Sequence, residues 1–112
     1  MEAREIEKLR NRGMTVPTAG GDEGVRITAQ CRRWFGDQSR QERRLALEAW
    51  GHDLELRIAT HGGQIVPGSL SVTGQTIDVI VPVESLPSLK ADLSSSDIRV
   101  DFPSNMQIVQ EP

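Results

Sequence analysis

Three stretches of the chain alternate apolar and polar residues, the period-2 pattern of a β-strand with one buried face. They cover residues 25–32, 76–83 and 97–102. Their apolar positions are Val25, Ile27, Ala29 and Cys31, then Ile77, Val79, Val81 and Val83, then Ile98, Val100 and Phe102. A rougher strand is predicted at 64–72, where Pro67 favours a sheet edge or a bulge because proline cannot donate to a strand ladder.

A long amphipathic helix is predicted between the first two strands. Ser39 is a suitable N-cap, and Glu42 three residues later completes a capping-box pattern. The helix is expected to reach Thr60 and to end at His61-Gly62-Gly63, since glycine adopts the left-handed conformation of a C-terminal cap. Its apolar stripe at helical spacing consists of Leu47, Trp50, Leu54 and Ile58.

A second, short helix follows the strand at 76–83. Ser85 is expected to cap it, and its buried stripe is Leu86, Leu89 and Leu93. The predicted order is therefore β-α-β-β-α-β, an α+β chain of the ferredoxin-like split βαβ type with both helices on one face of a four-stranded antiparallel sheet. That topology places the strands in the order 4-1-3-2.

The domain organisation follows from the same pattern. Residues 23–103 form the predicted domain, residues 1–22 an N-terminal extension and linker rich in glycine near its end, and residues 104–112 a C-terminal tail. A chain of 112 residues is long enough for one core and too short for two.

The sheet face away from the helices is the predicted partner-binding surface, together with apolar residues of the tail. On the sheet it comprises Arg26, Thr28, Gln30, Asp78, Ile80, Arg99 and Asp101, with Ser69, Ser71 and Asp97 beside them. In the tail it comprises Met106, Ile108 and Val109. The face is polar and carries one isoleucine.

The net charge of −3 is unevenly distributed along the chain. Residues 1–57 hold eleven Lys/Arg and ten Asp/Glu, whereas residues 58–112 hold two and six. The acidic second half argues against a nucleic-acid surface there. The first residues carry no hydrophobic signal stretch and no apolar run reaches the roughly 20 residues of a membrane span, so we expect a cytoplasmic protein.

Candidate catalytic and cofactor residues are sparse. His52 and His61 are the only histidines, and His61 lies where a helix C-terminus explains it electrostatically. Neither belongs to a nucleophile triad or to a recurring metal-ligand spacing. Cys31 falls on the apolar side of a strand and is expected to be a core residue. We therefore expect no enzyme, no cofactor and no metal site.

The order of motifs from about Val25 to Asp101 resembles the propeptide (inhibitor) domain of subtilisin-like serine proteases. The motifs are His61-Gly62-Gly63 after a helix, Val81-Pro82 at a strand end, Leu86 and Leu89 in a Leu-x-x-Leu helix, and Val100 in the last strand. The resemblance implies a folding chaperone or peptidase inhibitor. Its sheet face would dock on the protease, and its C-terminal segment, here Pro103 to Pro112, would lie in the substrate cleft as an added strand.

Two interpretations remain open. In the first, the chain acts in trans as an inhibitor or folding chaperone of a subtilisin-like protease. In the second, it is a generic ferredoxin-like adaptor or regulatory module that self-associates or binds another protein. The polar sheet face favours the second, because tight interfaces usually have an apolar centre.

Overall fold

The computed structural model describes residues 7, 10, 11, 13, 15–33 and 35–101. In chain order its elements are β1 (Thr15–Pro17), β2 (Glu23–Cys31), α1 (Arg40–Thr60), β3 (Gln64–Ile65), β4 (Thr76–Pro82), a 3₁₀ turn (Val83–Ser85), α2 (Leu86–Leu93) and β5 (Ile98–Asp101). The described part of the chain is α+β, with an antiparallel sheet and the helices α1 and α2. This arrangement is compatible with a ferredoxin-like one.

The strand β2 lies in the middle of the sheet. It pairs with β4 from Gly24 opposite Pro82 to Gln30 opposite Thr76, and β4 pairs on its other side with β3. The opposite edge of β2 carries two strands, one behind the other. β5 lies opposite residues 28–31, and β1 lies opposite residues 23–25.

The strand β1 was not predicted from the sequence. Thr15–Pro17 lies within the stretch interpreted as extension and linker, yet it pairs with the first residues of β2. The edge of β2 that β5 leaves open offers backbone groups that need hydrogen-bond partners, and β1 supplies them. The Arg10 guanidinium also donates to both carboxylate oxygens of Glu23, at 2.9 and 2.6 Å. The domain limits themselves stay a prediction.

The predicted strand at 64–72 is also shorter than expected, because only Gln64–Ile65 is a strand. Pro67 and Gly68, whose φ is +75°, turn the chain out of the ladder. Further on, the Ser69 hydroxyl accepts from the backbone N–H of Asp78 at 3.1 Å, which replaces a backbone partner for β4. An isolated bridge between Ser71 and Thr76 then closes the hairpin.

The helix α1 begins and ends as its sequence predicts. The Ser39 hydroxyl accepts from the Glu42 backbone N–H at 3.2 Å and donates to the Glu42 carboxylate at 3.0 Å. At the other end, the N–H groups of Gly62 and Gly63 donate to the carbonyls of Ala59 and Ile58. This is the paired bonding of a Schellman cap, which requires the φ of +76° at Gly62.

The main core lies between the sheet and the two helices. Its buried residues are Val25, Ile27, Ala29, Leu54, Ile58, Ile77, Val79, Val81, Val83, Leu86, Leu89, Leu93 and Ile98. A smaller cluster of Cys31, Phe35 and Leu47 continues it, and Trp50 lies half-buried between the two. Ser85 makes no capping hydrogen bond with its side chain, contrary to expectation, because the 3₁₀ turn leads straight into α2 and gives that residue a helical backbone.

Candidate functional site

The sheet has a covered face and an open face, set by the alternation along β2 and β4. The odd-numbered residues from Val25 to Cys31 and from Ile77 to Val81 belong to the core that α1 and α2 cover. Even-numbered positions point the other way, since successive side chains of a strand alternate. The described even-numbered side chains from Arg26 to Gln30 and from Thr76 to Pro82 are all exposed or half-buried. We call this surface the open face.

Three of the predicted binding residues meet at the centre of the open face. The Arg26 guanidinium donates to one carboxylate oxygen of Asp78 at 2.6 Å, and the Thr28 hydroxyl donates to the other at 3.1 Å. Thr28 and Asp78 are direct cross-strand neighbours. The polar centre of the face is therefore already paired within the chain, with the Asp78 side chain 28% exposed and that of Arg26 56% exposed.

The other predicted sheet residues extend the face toward its edges. Gln30 lies between Thr76 of β4 and Arg99 of β5, and Ile80 lies opposite Arg26. Asp101 pairs through its backbone with Thr28, and its side chain lies outside the described residues. Met106, Ile108 and Val109 also lie outside the described residues, so their part in the site stays a prediction.

One end of the open face is more apolar than the sequence indicated. Val16 lies opposite Gly24 in the β1 pairing, and Pro82 lies opposite Gly24 on the other side, so both join the face beside Ile80. Val16, Ile80 and Pro82 are each half-buried. Gly24, which lies between Val16 and Pro82, has no side chain. A Cβ at Gly24 would lie 2.7 Å from the Thr18 methyl and 3.1 Å from the Ile80 Cγ2, so these groups occupy the space over the glycine.

Sequence reasoning missed Val16 and Pro82. Pro82 carries a weak signal, because it continues the even-numbered series of the predicted strand. Val16 could not be assigned, since a three-residue strand has too few positions to show a period and its partner lies across a turn. Together, Val16, Ile80 and Pro82 form what we call the apolar end of the open face.

Electrostatic contacts hold the edge of the sheet next to this end. The hydrogen bond from Arg10 lowers the pKa of the Glu23 carboxyl. This pair ties the residues before β1 to the start of β2. At the far end of the sheet, the Arg33 guanidinium lies 2.9 Å from Asp97, a contact between two exposed side chains.

The two histidines and the cysteine lie away from the open face. His61 Nε2 is 3.0 Å from Asp92 Oδ2, which joins the end of α1 to α2, and His52 lies 3.6 Å from Glu55 on the outer surface of α1. Cys31 is buried as expected, and this burial raises the pKa of its thiol. Among the described residues, no group of three or more His, Cys, Asp or Glu is placed to hold a metal ion.

No protein family model, curated protein or solved structure matches the chain significantly. Within the part of the chain that the structure describes, no helix is both long enough and apolar enough to span a membrane. A cytoplasmic location stays a prediction.

Proposed function

We propose that this chain is a protein-binding domain that docks its open face on a subtilisin-like serine protease and acts on it in trans as an inhibitor or folding chaperone. The observation that carries the proposal is the composition of the open face. It combines an apolar end of Val16, Ile80 and Pro82 with a paired polar centre at Asp78. The helices α1 and α2 pack on the other side of the sheet.

The apolar end answers the main objection from the sequence, that the face is too polar for a tight interface. An interface gains most of its affinity from a few desolvated apolar or aromatic contacts, surrounded by polar groups that exclude water. Ile80 and its neighbours would form that centre. Arg26 and Asp78 would contribute little reorganisation cost, because their ion pair already exists in the free chain.

Strand pairing also supports the proposal. β5 pairs with β2, β2 with β4 and β4 with β3, which are the neighbours expected of a ferredoxin-like order 4-1-3-2. The added β1 lies beyond Asp101 on the same edge of β2. Asp101 pairs with Thr28 and Thr15 pairs with Val25, so only positions 26 and 27 of that edge lie between them.

This arrangement bears on the tail. A chain continuing from β5 finds most of the remaining edge of β2 occupied by β1. In this proposal, residues 104–112 bind the protease and not the edge of β2. In the proposed complex they add as a strand to the substrate cleft of the protease, the β-augmentation mode.

The test is inhibition of a purified bacterial subtilisin, measured by hydrolysis of a chromogenic peptide at increasing concentrations of the full chain. We expect dose-dependent inhibition. Removing Ser104 to Pro112 should abolish inhibition while the amide NMR spectrum of residues 15–101 stays the same. Arg26→Glu on the open face should weaken inhibition, whereas Arg33→Glu, an equally exposed ion-paired arginine at the end of the sheet, should not.

Two results would contradict the proposal. One is the absence of both inhibition and complex formation with subtilisin-like proteases. The other is equal loss of inhibition in Arg26→Glu and Arg33→Glu, which would indicate a general charge effect.

The generic adaptor remains the second candidate, and one observation favours it. Leu45 and Leu56 on the outer surface of α1 are 58% and 59% exposed. They are eleven residues apart, about three helical turns, and so lie on one side of the helix. A concentration-dependent increase in molecular mass that Leu45→Ser with Leu56→Ser removes would support self-association through this helix and not through the open face.

A further inference from the structure

A cleft lies at the start of α1, on a different part of the molecule from the open face. The loop that follows β2, the first turns of α1 and the hairpin before β4 enclose about 710 Å³. Its lining includes Phe35, Arg40, Arg43, Arg44 and Val72. A space of this volume is in the range of small-molecule sites.

The charged side chains that line the cleft are all arginines. Arg40, Arg43 and Arg44 fall in the first five positions of α1, so three cations meet at the positive end of a 21-residue helix. Arg40 and Arg44 are exposed. Arg44 also contacts Glu48 at 3.2 Å, a surface pair of the kind that contributes little and can exchange partners.

The third arginine is held in place by the hairpin. Arg43 donates to the Gln75 side-chain carbonyl at 2.9 Å, and the Gln75 amide donates in turn to the carbonyls of Cys31 and Arg33. Gln75 adopts a φ of +54°, unusual for a residue with a side chain, and these bonds hold it there.

The held guanidinium also has an unsatisfied donor. Arg43 Nε is buried without a hydrogen-bond partner among the described residues. Arg43 as a whole is half-buried and lines the cleft, so its guanidinium is partly shielded from water. Partial shielding strengthens the attraction between this charge and an anion in the cleft.

The floor of the cleft is apolar. Phe35 is buried against Cys31 and Leu47, and Val72 is half-buried against the same cluster. A ligand that filled the cleft would therefore place an apolar part on Phe35 and Val72 and an anionic part toward the arginines. Carboxylates and phosphates suit arginine because a guanidinium can donate two parallel hydrogen bonds to two of their oxygens.

From these features we infer that the cleft is a binding site for an oxyanion, phosphate or carboxylate, attached to a small apolar group. The site is independent of the open face and goes beyond the proposed protease binding. The apolar floor predicts that the organic anion binds more tightly than the bare ion. The arginines predict that a neutral analogue of the same shape binds more weakly.

The test is an NMR titration of the ¹⁵N-labelled full chain with phenyl phosphate, benzoate, inorganic phosphate and benzyl alcohol. We expect saturable shifts confined to residues 35–44 and 72–75, including the Arg43 Nε–H signal. Phenyl phosphate or benzoate should bind most tightly, and the stronger of these two identifies the anionic group. Benzyl alcohol should be the weakest.

Variants distinguish specific binding in the cleft from non-specific electrostatic attraction of anions to the chain. Arg40→Gln with Arg44→Gln should weaken binding about tenfold or more, the loss expected for charge-assisted hydrogen bonds. Arg32→Gln with Arg33→Gln removes the same charge from exposed positions outside the lining and should leave binding unchanged. Glu48→Gln should strengthen binding, since it releases Arg44.

Three results would overturn the inference: shifts that do not saturate, shifts spread over the whole surface, or equal weakening in the two double variants. All the substituted side chains are on exposed positions, and unchanged amide spectra before titration would verify the fold. Arg40→Gln alone provides the same comparison if the double variant is unstable.

Discussion

The two faces of the sheet are built from the same strands by different means. On the covered face, Ile27 and Val79 are almost completely buried under Leu54 of α1, and most of the packing is aliphatic. On the open face, Arg26, Thr28 and Asp78 stabilise one another by hydrogen bonds in partial contact with water. Burial of apolar area contributes most of the free energy of folding. Partly solvated polar pairs add little to that free energy and mainly fix the orientation of their side chains. Stability therefore depends on one face, and the other face is available for recognition.

The largest expected effect is on the covered face. Leu54→Ala removes a fully buried side chain from the centre of α1 and leaves a cavity against the sheet. We expect the free energy of unfolding to fall by about 2–5 kcal/mol. Thr28→Ala on the open face should cost about 1 kcal/mol or less. Chemical denaturation of both variants measures the difference, and similar losses would show that the two faces do not differ as described.

The next effect concerns the close packing around Gly24 on the open face. Gly24→Ala places a methyl group 2.7 Å from the Thr18 methyl and 3.1 Å from the Val81 carbonyl oxygen. Overpacking of this kind costs about 1–3 kcal/mol. Gly20→Ala is the matched control, since a methyl there meets nothing within 4 Å. Thermal denaturation should separate the two variants, and an unchanged melting temperature for Gly24→Ala would mean that Thr18 and β1 move away freely.

A smaller effect is expected at the polar centre. Asp78→Ala removes the acceptor of both Arg26 and Thr28 and should cost about 0.5–1.5 kcal/mol. Asp53→Ala, which breaks an exposed pair with Arg57 on α1, should cost no more than about 0.5 kcal/mol. A double-mutant cycle of Arg26→Ala and Asp78→Ala measures the coupling directly, and a coupling of zero would remove the argument that this pair is pre-organised.

The smallest effect is a pH dependence from the covered face. Burial raises the pKa of the Cys31 thiol in the folded chain, so the folded state keeps this proton at a pH where the unfolded chain has lost it. Stability from this group is thus present below the unfolded pKa of about 8.5 and falls as the pH rises above it. Cys31→Ala should flatten the stability profile between about pH 8 and 10. If stability falls with pH equally steeply in Cys31→Ala and in the unaltered chain, groups other than Cys31 cause the pH dependence.

Local features of the fold were predictable because their causes are close in sequence. Ser39 and Glu42 are three residues apart, and the glycines that cap α1 follow it directly. The buried members of the stripe, Leu47, Leu54 and Ile58, follow from the helical period alone. The same holds for Leu86, Leu89 and Leu93 of α2.

The site was predictable only in part. Alternation along β2 and β4 placed Arg26, Thr28, Asp78 and Ile80 on one face, but it did not show that Arg26 pairs with Asp78, because the register between strands 52 residues apart depends on packing. The cleft at the start of α1 was missed altogether. The sequence places its arginines in the first turns of α1, but only the folded hairpin at Gln75 brings Val72 and Phe35 beside them.

By itself, the sequence determined the α+β class, the limits of α1 and which side of each main strand is apolar, since these depend on the spacing of neighbouring residues. Tertiary structure alone decided that Thr15–Pro17 joins the edge of β2, that β3 stops at Ile65, and that Val16 and Pro82 complete the open face. These outcomes depend on which backbone groups still lack hydrogen-bond partners once the main strands have paired. Segments of two or three residues are too short to show a periodic pattern that would predict such pairing.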